Sequence, residues 1–153
     1  FIKRNSNNMK KIDKKKISSL IKITGPFLMI DSIISLKKSE IICEKKNNKK
    51  EWFYKHHLKG NPVMPGVLQE EAMLQAAMVL IYLENKNKNY EFMLFKTNST
   101  FLSNIKGVVN CKIYSKINKI RNNFVSISSH IKVNNRITSS GNFVLIKKKY
   151  GKV

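Results

Sequence analysis

From Val67 to Leu83 the chain runs without glycine or proline and is apolar nearly all round, through Val67, Leu68, Ala72, Met73, Leu74, Ala76, Ala77, Met78, Leu80 and Ile81. Alanine, leucine, methionine, glutamate and glutamine are good helix formers, so the run predicts a helix, roughly 25 Å long. A helix without a polar side must be covered on all sides. The rest of the chain therefore has to wrap it. The run is shorter than a membrane span and carries Glu70, Glu71 and Gln75, which argues against a transmembrane segment.

The stretch before the helix is irregular. His56-His57-Leu58-Lys59-Gly60-Asn61-Pro62-Val63-Met64-Pro65-Gly66 holds two of the three prolines. Proline is tolerated at a helix start, where a missing N–H costs nothing, and Gly66 lets backbone and ligand approach closely. Glu71 falls on the row Val67, Glu71, Gln75, Met78. A carboxyl group on an apolar face is costly to ionise, so its pKa should rise, making it a proton donor near neutral pH. Gln75, one turn on, can hold it by a hydrogen bond. His57 lies just outside the helix start. An imidazole base, a carboxylic acid and the free N–H groups of a helix N-terminus are the parts needed to take a proton beside a carbonyl and expel a hydroxyl.

After the helix come an Asn/Lys loop and four expected strands, 91–101, 108–117, 123–133 and 136–148, with Asn122-Asn123 and Asn134-Asn135 as turns. Before it, residues 13–21 read as a short helix capped by Asp13, Gly25-Pro26 as a turn, 27–36 and 39–44 as strands, and 45–50 as a polar hairpin loop. Trp52, Phe53 and Tyr54 are core or pocket-wall aromatics. His56 is expected to face solvent, and His130 to be structural. The fold class is α+β, an antiparallel sheet wrapped round a long central helix.

The 153 residues suit one domain, and a hydrophobic content of 42% can build a core. Residues 1–16 are basic and expected to be flexible, leaving 17–153 as the domain. The segment 1–12 lacks the apolar core of a secretory signal, so the expectation is cytoplasmic, with a plastid-like organelle as the alternative. Cys43 and Cys111 form no metal or redox pattern, and no metal site is expected. The net charge of +21 comes from lysine runs that decorate solvated faces. It suits an acidic partner. Nucleic acid is the less favoured one, because no zinc finger, RNP-like strand or basic helix with interleaved aromatics accompanies the charge.

The pattern H-x-x-G-N-P-V-M-P-G-V-L-x-x-E-A-M-x-Q-A over residues 57–76 resembles the signature of the FabZ-type β-hydroxyacyl-(acyl carrier protein) dehydratases. Pro26-Phe27-Leu28 and Asp31 match half of a second family motif, and Phe101 and Gly107 remain from a third. The resemblance implies the hot-dog fold and a hydro-lyase of fatty acid biosynthesis. The activity implied is conversion of (3R)-3-hydroxyacyl-acyl carrier protein to the trans-2-enoyl product. His57 and Glu71 would be the catalytic pair, drawn from two subunits of a homodimer, which could assemble further into a trimer of dimers. Glu71 stands where the FabA-type isomerases carry Asp. Gly66 would offer its N–H to the thioester carbonyl, the Val63 carbonyl would orient His57, and the acyl tail would lie along Val67 and Leu68. No cofactor is implied, since the substrate arrives on the phosphopantetheine of acyl carrier protein. The family's His-Arg-Tyr segment is replaced at 22–25, and the stretch 100–108 is altered and one position shorter. These departures leave a hot-dog thioesterase, or a dehydratase of another acyl thioester, as the alternative.

Overall fold

The computed structural model describes residues 12–85, 89–149 and 151. Their order is β1 (Ile12–Asp13), α1 (Lys14–Ile21), β2 (Ser32–Lys37), β3 (Glu40–Asn47), α2 (Gly66–Glu84), β4 (Tyr90–Phe101), β5 (Val109–Arg121), β6 (Phe124–Val133) and β7 (Arg136–Lys149). The strands form one antiparallel sheet in the order β1-β2-β3-β5-β6-β7-β4. The sheet curls round α2, whose Leu68, Ala72, Met73, Ala76, Ala77, Val79, Leu80 and Ile81 are buried. Each fully buried leucine-sized side chain contributes about 1.5–3 kcal/mol, so the all-apolar helix is what the sheet folds upon. By length and composition α2 could cross a membrane, but it is the wrapped core helix of this sheet.

One face of each long strand meets the helix. Cys111, Ile113, Ser115 and Ile117 of β5 alternate inward with Val125, Ile127, Ser129 and Ile131 of β6. The only polar side chains in this row, Ser115 and Ser129, hydrogen-bond each other at 2.8 Å. The asparagine turns form as expected. Asn122, Asn134 and Asn135 adopt positive φ, which asparagine tolerates better than most residues.

Asp13 caps α1 by accepting a hydrogen bond from the Lys16 N–H at 3.0 Å. Residues 12–16, assigned from sequence to a flexible N-terminal segment, belong instead to β1 and α1; residues 1–11 lie outside the described residues. Two further corrections concern the first hairpin. The strand expected over 27–36 begins only at Ser32, because Gly25–Phe27 forms a 3-10 turn round Pro26. The strand expected to stop at Glu44 continues to Asn47, so Lys45, Lys46 and Asn47 are not a hairpin loop. The β2–β3 turn lies at Lys38-Ser39, where Ser39 takes positive φ. Lys45 faces inward opposite Cys111 and is buried, its ammonium 3.0 Å from Glu51. Strand β5 runs to Arg121, past the expected end at Ile117.

Candidate active site

The site assembles at the N-terminal end of α2. Pro65 precedes the helix and its carbonyl accepts from the Leu68 and Gln69 N–H groups, at 3.0 and 3.1 Å. The amides of Gly66 and Val67 have no carbonyl a turn earlier in the helix to reach. They form the positive end of the helix dipole. A Cβ on Gly66 would sit 3.3 Å from the Phe101 ring, so glycine is what allows this aromatic to lie against the helix start. Val67 is 74% exposed in the single chain, whereas Leu68 is buried in the core. Of the two residues expected to line an acyl tail, only Val67 is open to one.

His57 lies on the loop between the 3-10 turn Trp52–Lys55 and α2. Its Nδ1 is 3.1 Å from the Val63 carbonyl oxygen, the partner that the resemblance names. A carbonyl can only accept, so Nδ1 carries the proton, and in the neutral imidazole the lone pair is then on Nε2. His56 is exposed. His130 stacks on Tyr114 on the outer face of the sheet, with ring centroids 4.7 Å apart, and burial and Lys132 lower its pKa.

Glu71 is half-buried on α2. Burial raises its carboxyl pKa, the nearby Glu70 charge adds to the rise, and a hydrogen bond from Gln75 opposes it. Gln75 is fully buried and makes three contacts. Its Nε2 donates to Glu71 Oε1 at 2.9 Å and to the Phe27 carbonyl at 2.8 Å, while its Oε1 accepts from the Met29 N–H at 2.8 Å. Within one chain no hydrogen bond or ion pair joins His57 to Glu71 among the described residues. Nor, among those residues, do three of His, Cys, Asp and Glu meet in an arrangement that could hold a metal ion.

Sequence reasoning missed the supports. Asp31 accepts from the Lys46 N–H at 2.7 Å and from Lys14 Nζ at 3.0 Å, which ties the Phe27–Met29 loop to the sheet. Trp52 Nε1 donates to the Pro26 carbonyl at 3.1 Å. Met64 N–H donates to the Ile105 carbonyl at 2.8 Å, and buried Gln69 donates to the Met64 carbonyl at 3.3 Å. The retained Pro26, Phe27 and Asp31 were a usable signal for the first two. For the Ile105 contact, made by backbone atoms, there was none.

The family model described as a FabA-like domain matches residues 23–127. This chain belongs to the FabA-like family. Within that family it is 31% identical over 140 residues to the 3-hydroxyacyl-[acyl-carrier-protein] dehydratase FabZ of Lactobacillus helveticus, covering 90% of this chain and 95% of that one. It is 32% identical to the FabZ of Rickettsia bellii, covering 90% and 97%. Among solved structures, the dehydratase heterocomplex ApeI:P from Xenorhabdus doucetiae superposes with a TM-score of 0.74 at 14% identity, over 88% of this chain and 91% of that one. Thioesterase superfamily member 2 from Mus musculus superposes with a TM-score of 0.65 at 16% identity, over 86% and 91%. At such identities these neighbours speak to the FabA-like chain's fold alone: a hot-dog, with the antiparallel sheet wrapped round α2.

Proposed function

We propose that this FabA-like chain is a hydro-lyase that dehydrates 3-hydroxyacyl-acyl carrier protein to the 2-enoyl thioester in fatty acid biosynthesis. The FabZ relatives, matched over most of both chains, support the substrate class. The observation that carries the chemistry is the His57–Val63 contact, which leaves Nε2 as a base. His57 takes the C2 proton. Glu71, whose carboxyl burial pushes toward the protonated form, gives its proton to the departing C3 hydroxyl, which leaves as water. The Gly66 and Val67 amides stabilise the negative charge that develops on the thioester oxygen, an interaction worth about 10²–10³ in rate for one donor. Val63 and Gln75 hold the two acting groups. The reaction needs no cofactor beyond the phosphopantetheine that carries the acyl group.

Each site takes His57 from one protomer and Glu71 from its partner. The support is the edge strand β4, hydrogen-bonded among the described residues on one side only, to β7, and carrying exposed Met93, Leu94, Phe95 and Phe101, with Leu102 just beyond. A long apolar edge is a pairing surface. Two-fold pairing of β4 completes the homodimer, and a trimer of dimers is the larger assembly to look for. A reducing compartment such as the cytoplasm suits the free, buried Cys43 and Cys111.

Subunit mixing tests both parts at once. His57→Ala and Glu71→Gln should each lose hydration of a crotonyl thioester. Unfolded and refolded together in equal amounts, they should recover about a quarter of the wild-type rate, because half the dimers are mixed and each then holds one intact site. Full activity of either single mutant overturns the chemistry. Inactive single mutants that do not complement overturn the shared site. Hydrolysis of a butyryl thioester without hydration of the crotonyl one marks the thioesterase instead.

A further inference from the structure

The 3-10 turn that delivers His57 is anchored by a part-buried polar cluster. Tyr54, three residues before His57, receives a hydrogen bond on its hydroxyl from Asn47 Nδ2. Asn47 Nδ2 also donates to the Gly107 carbonyl at 3.2 Å. Asn47 is 2% exposed and lies at the inward-facing end of β3. Gly107, at φ +73°, ends the strap that carries Ile105, which is itself buried. That strap holds Met64 through the Ile105 carbonyl, and Met64 follows the Val63 whose carbonyl holds the imidazole. The loop is therefore tied to one strap at both ends, by Tyr54 through the bridging amide of Asn47 before His57 and by Met64 directly after it.

We propose that Tyr54 is a positioning residue for His57. This rests on the reading of His57 as the base. The Tyr54 hydroxyl sets the distance between the turn and the strap, and so sets where the Val63 carbonyl meets Nδ1. Its ring packs edge-on against Phe53, 4.8 Å between centroids, and that packing does not need the hydroxyl. Polar groups are costly to bury, and a purely structural anchor is served as well by an apolar side chain. Here a phenol, an amide and a positive-φ glycine converge instead on the strap behind the base.

Tyr54→Phe removes the hydroxyl and keeps the ring. Asn47→Ala removes its donor from the opposite side. In the full-length chain, with a crotonyl thioester as probe, each should lower kcat roughly ten-fold with KM within about two-fold, the pattern of a displaced catalytic group. Tyr114→Phe, on the outer face, should change neither. Nitrogen-15 NMR of the histidines, assigned with His56→Gln and His130→Gln, gives a readout independent of turnover. His57 should show a dominant Nδ1–H tautomer in the wild type and a mixed population in Tyr54→Phe. A kcat within two-fold of wild type in either variant, or an unchanged His57 spectrum in Tyr54→Phe, overturns the proposal. If His57→Ala retains activity, the reading of the base fails, while the NMR comparison still decides whether Tyr54 orders the ring.

Discussion

Gln75 donates to Glu71 Oε1 across one turn of α2 while the same side chain grips the Phe27 carbonyl and the Met29 N–H. One buried amide thus sets the carboxyl and binds the segment before β2 to the central helix. Gln75→Leu leaves a backbone donor, a backbone acceptor and a carboxyl without this partner. The expected cost is about 3 kcal/mol or more, at about 1–3 kcal/mol for each buried group left unpaired, measured by denaturant unfolding. Hydration activity should fall with it.

Glu71 gives a pH signature. Its pKa in the folded state lies above the ordinary 4.5, chiefly through burial. Below 4.5 the group is protonated in both folded and unfolded chains and carries no penalty. As pH rises from 4.5 through the folded value, only the unfolded chain ionises freely, so unfolding releases a proton and stability falls. Glu71→Gln cannot ionise, and its amide oxygen still accepts from Gln75. The variant should therefore melt higher than wild type at neutral pH, with the difference closing as pH drops toward 4. A constant difference across that range contradicts the argument.

Lys45 and Glu51 form a buried ion pair at 3.0 Å, their side chains 5% and 13% exposed. Removing one partner strands the other charge. Glu51→Gln should destabilise by about 3–5 kcal/mol, and Lys45→Met with Glu51→Leu should recover much of that loss. Chemical denaturation of the two variants beside wild type measures both.

Gly141 sits in mid-strand on β7 with the Phe143 and Ser99 side chains folded over it. A Cβ there would fall 2.7 Å from Phe143 Cζ and 2.8 Å from Ser99 Oγ. Phe143 is buried and cannot swing into solvent. Gly141→Ala should cost about 1–3 kcal/mol by overpacking, read as a lower Tm. Gly66→Ala meets only the half-exposed Phe101 ring at 3.3 Å and should cost less stability.

The helix Gly66–Glu84 was legible because an all-apolar run without breakers has few other ways to fold. The asparagine turns were legible because their chemistry is local. Lys45–Asn47 was not: charged and amide side chains look like loop, and it is Glu51 for Lys45, and Tyr54 and Gly107 for Asn47, brought in by the fold, that make those two side chains burial-competent. The strand start was misplaced at Phe27 because Ile30 and Met29 serve the core from irregular backbone. In the site, His57, Glu71 and Gln75 stood out through spacing and resemblance. Asn47, Tyr54 and Gly107 meet across distant parts of the chain, and no window of sequence contains them together.

The bare margin of β4 has a bearing on how this chain behaves when it is made. A twelve-residue strand that offers its backbone on one side, with Leu94 and Phe95 beside it, will accept whatever extended segment reaches it first. Synthesised faster than it finds its proper mate, the chain should precipitate by growing that margin into stacked ribbons. Slow expression in the cold, or lysines placed along β4, should then keep it in the supernatant.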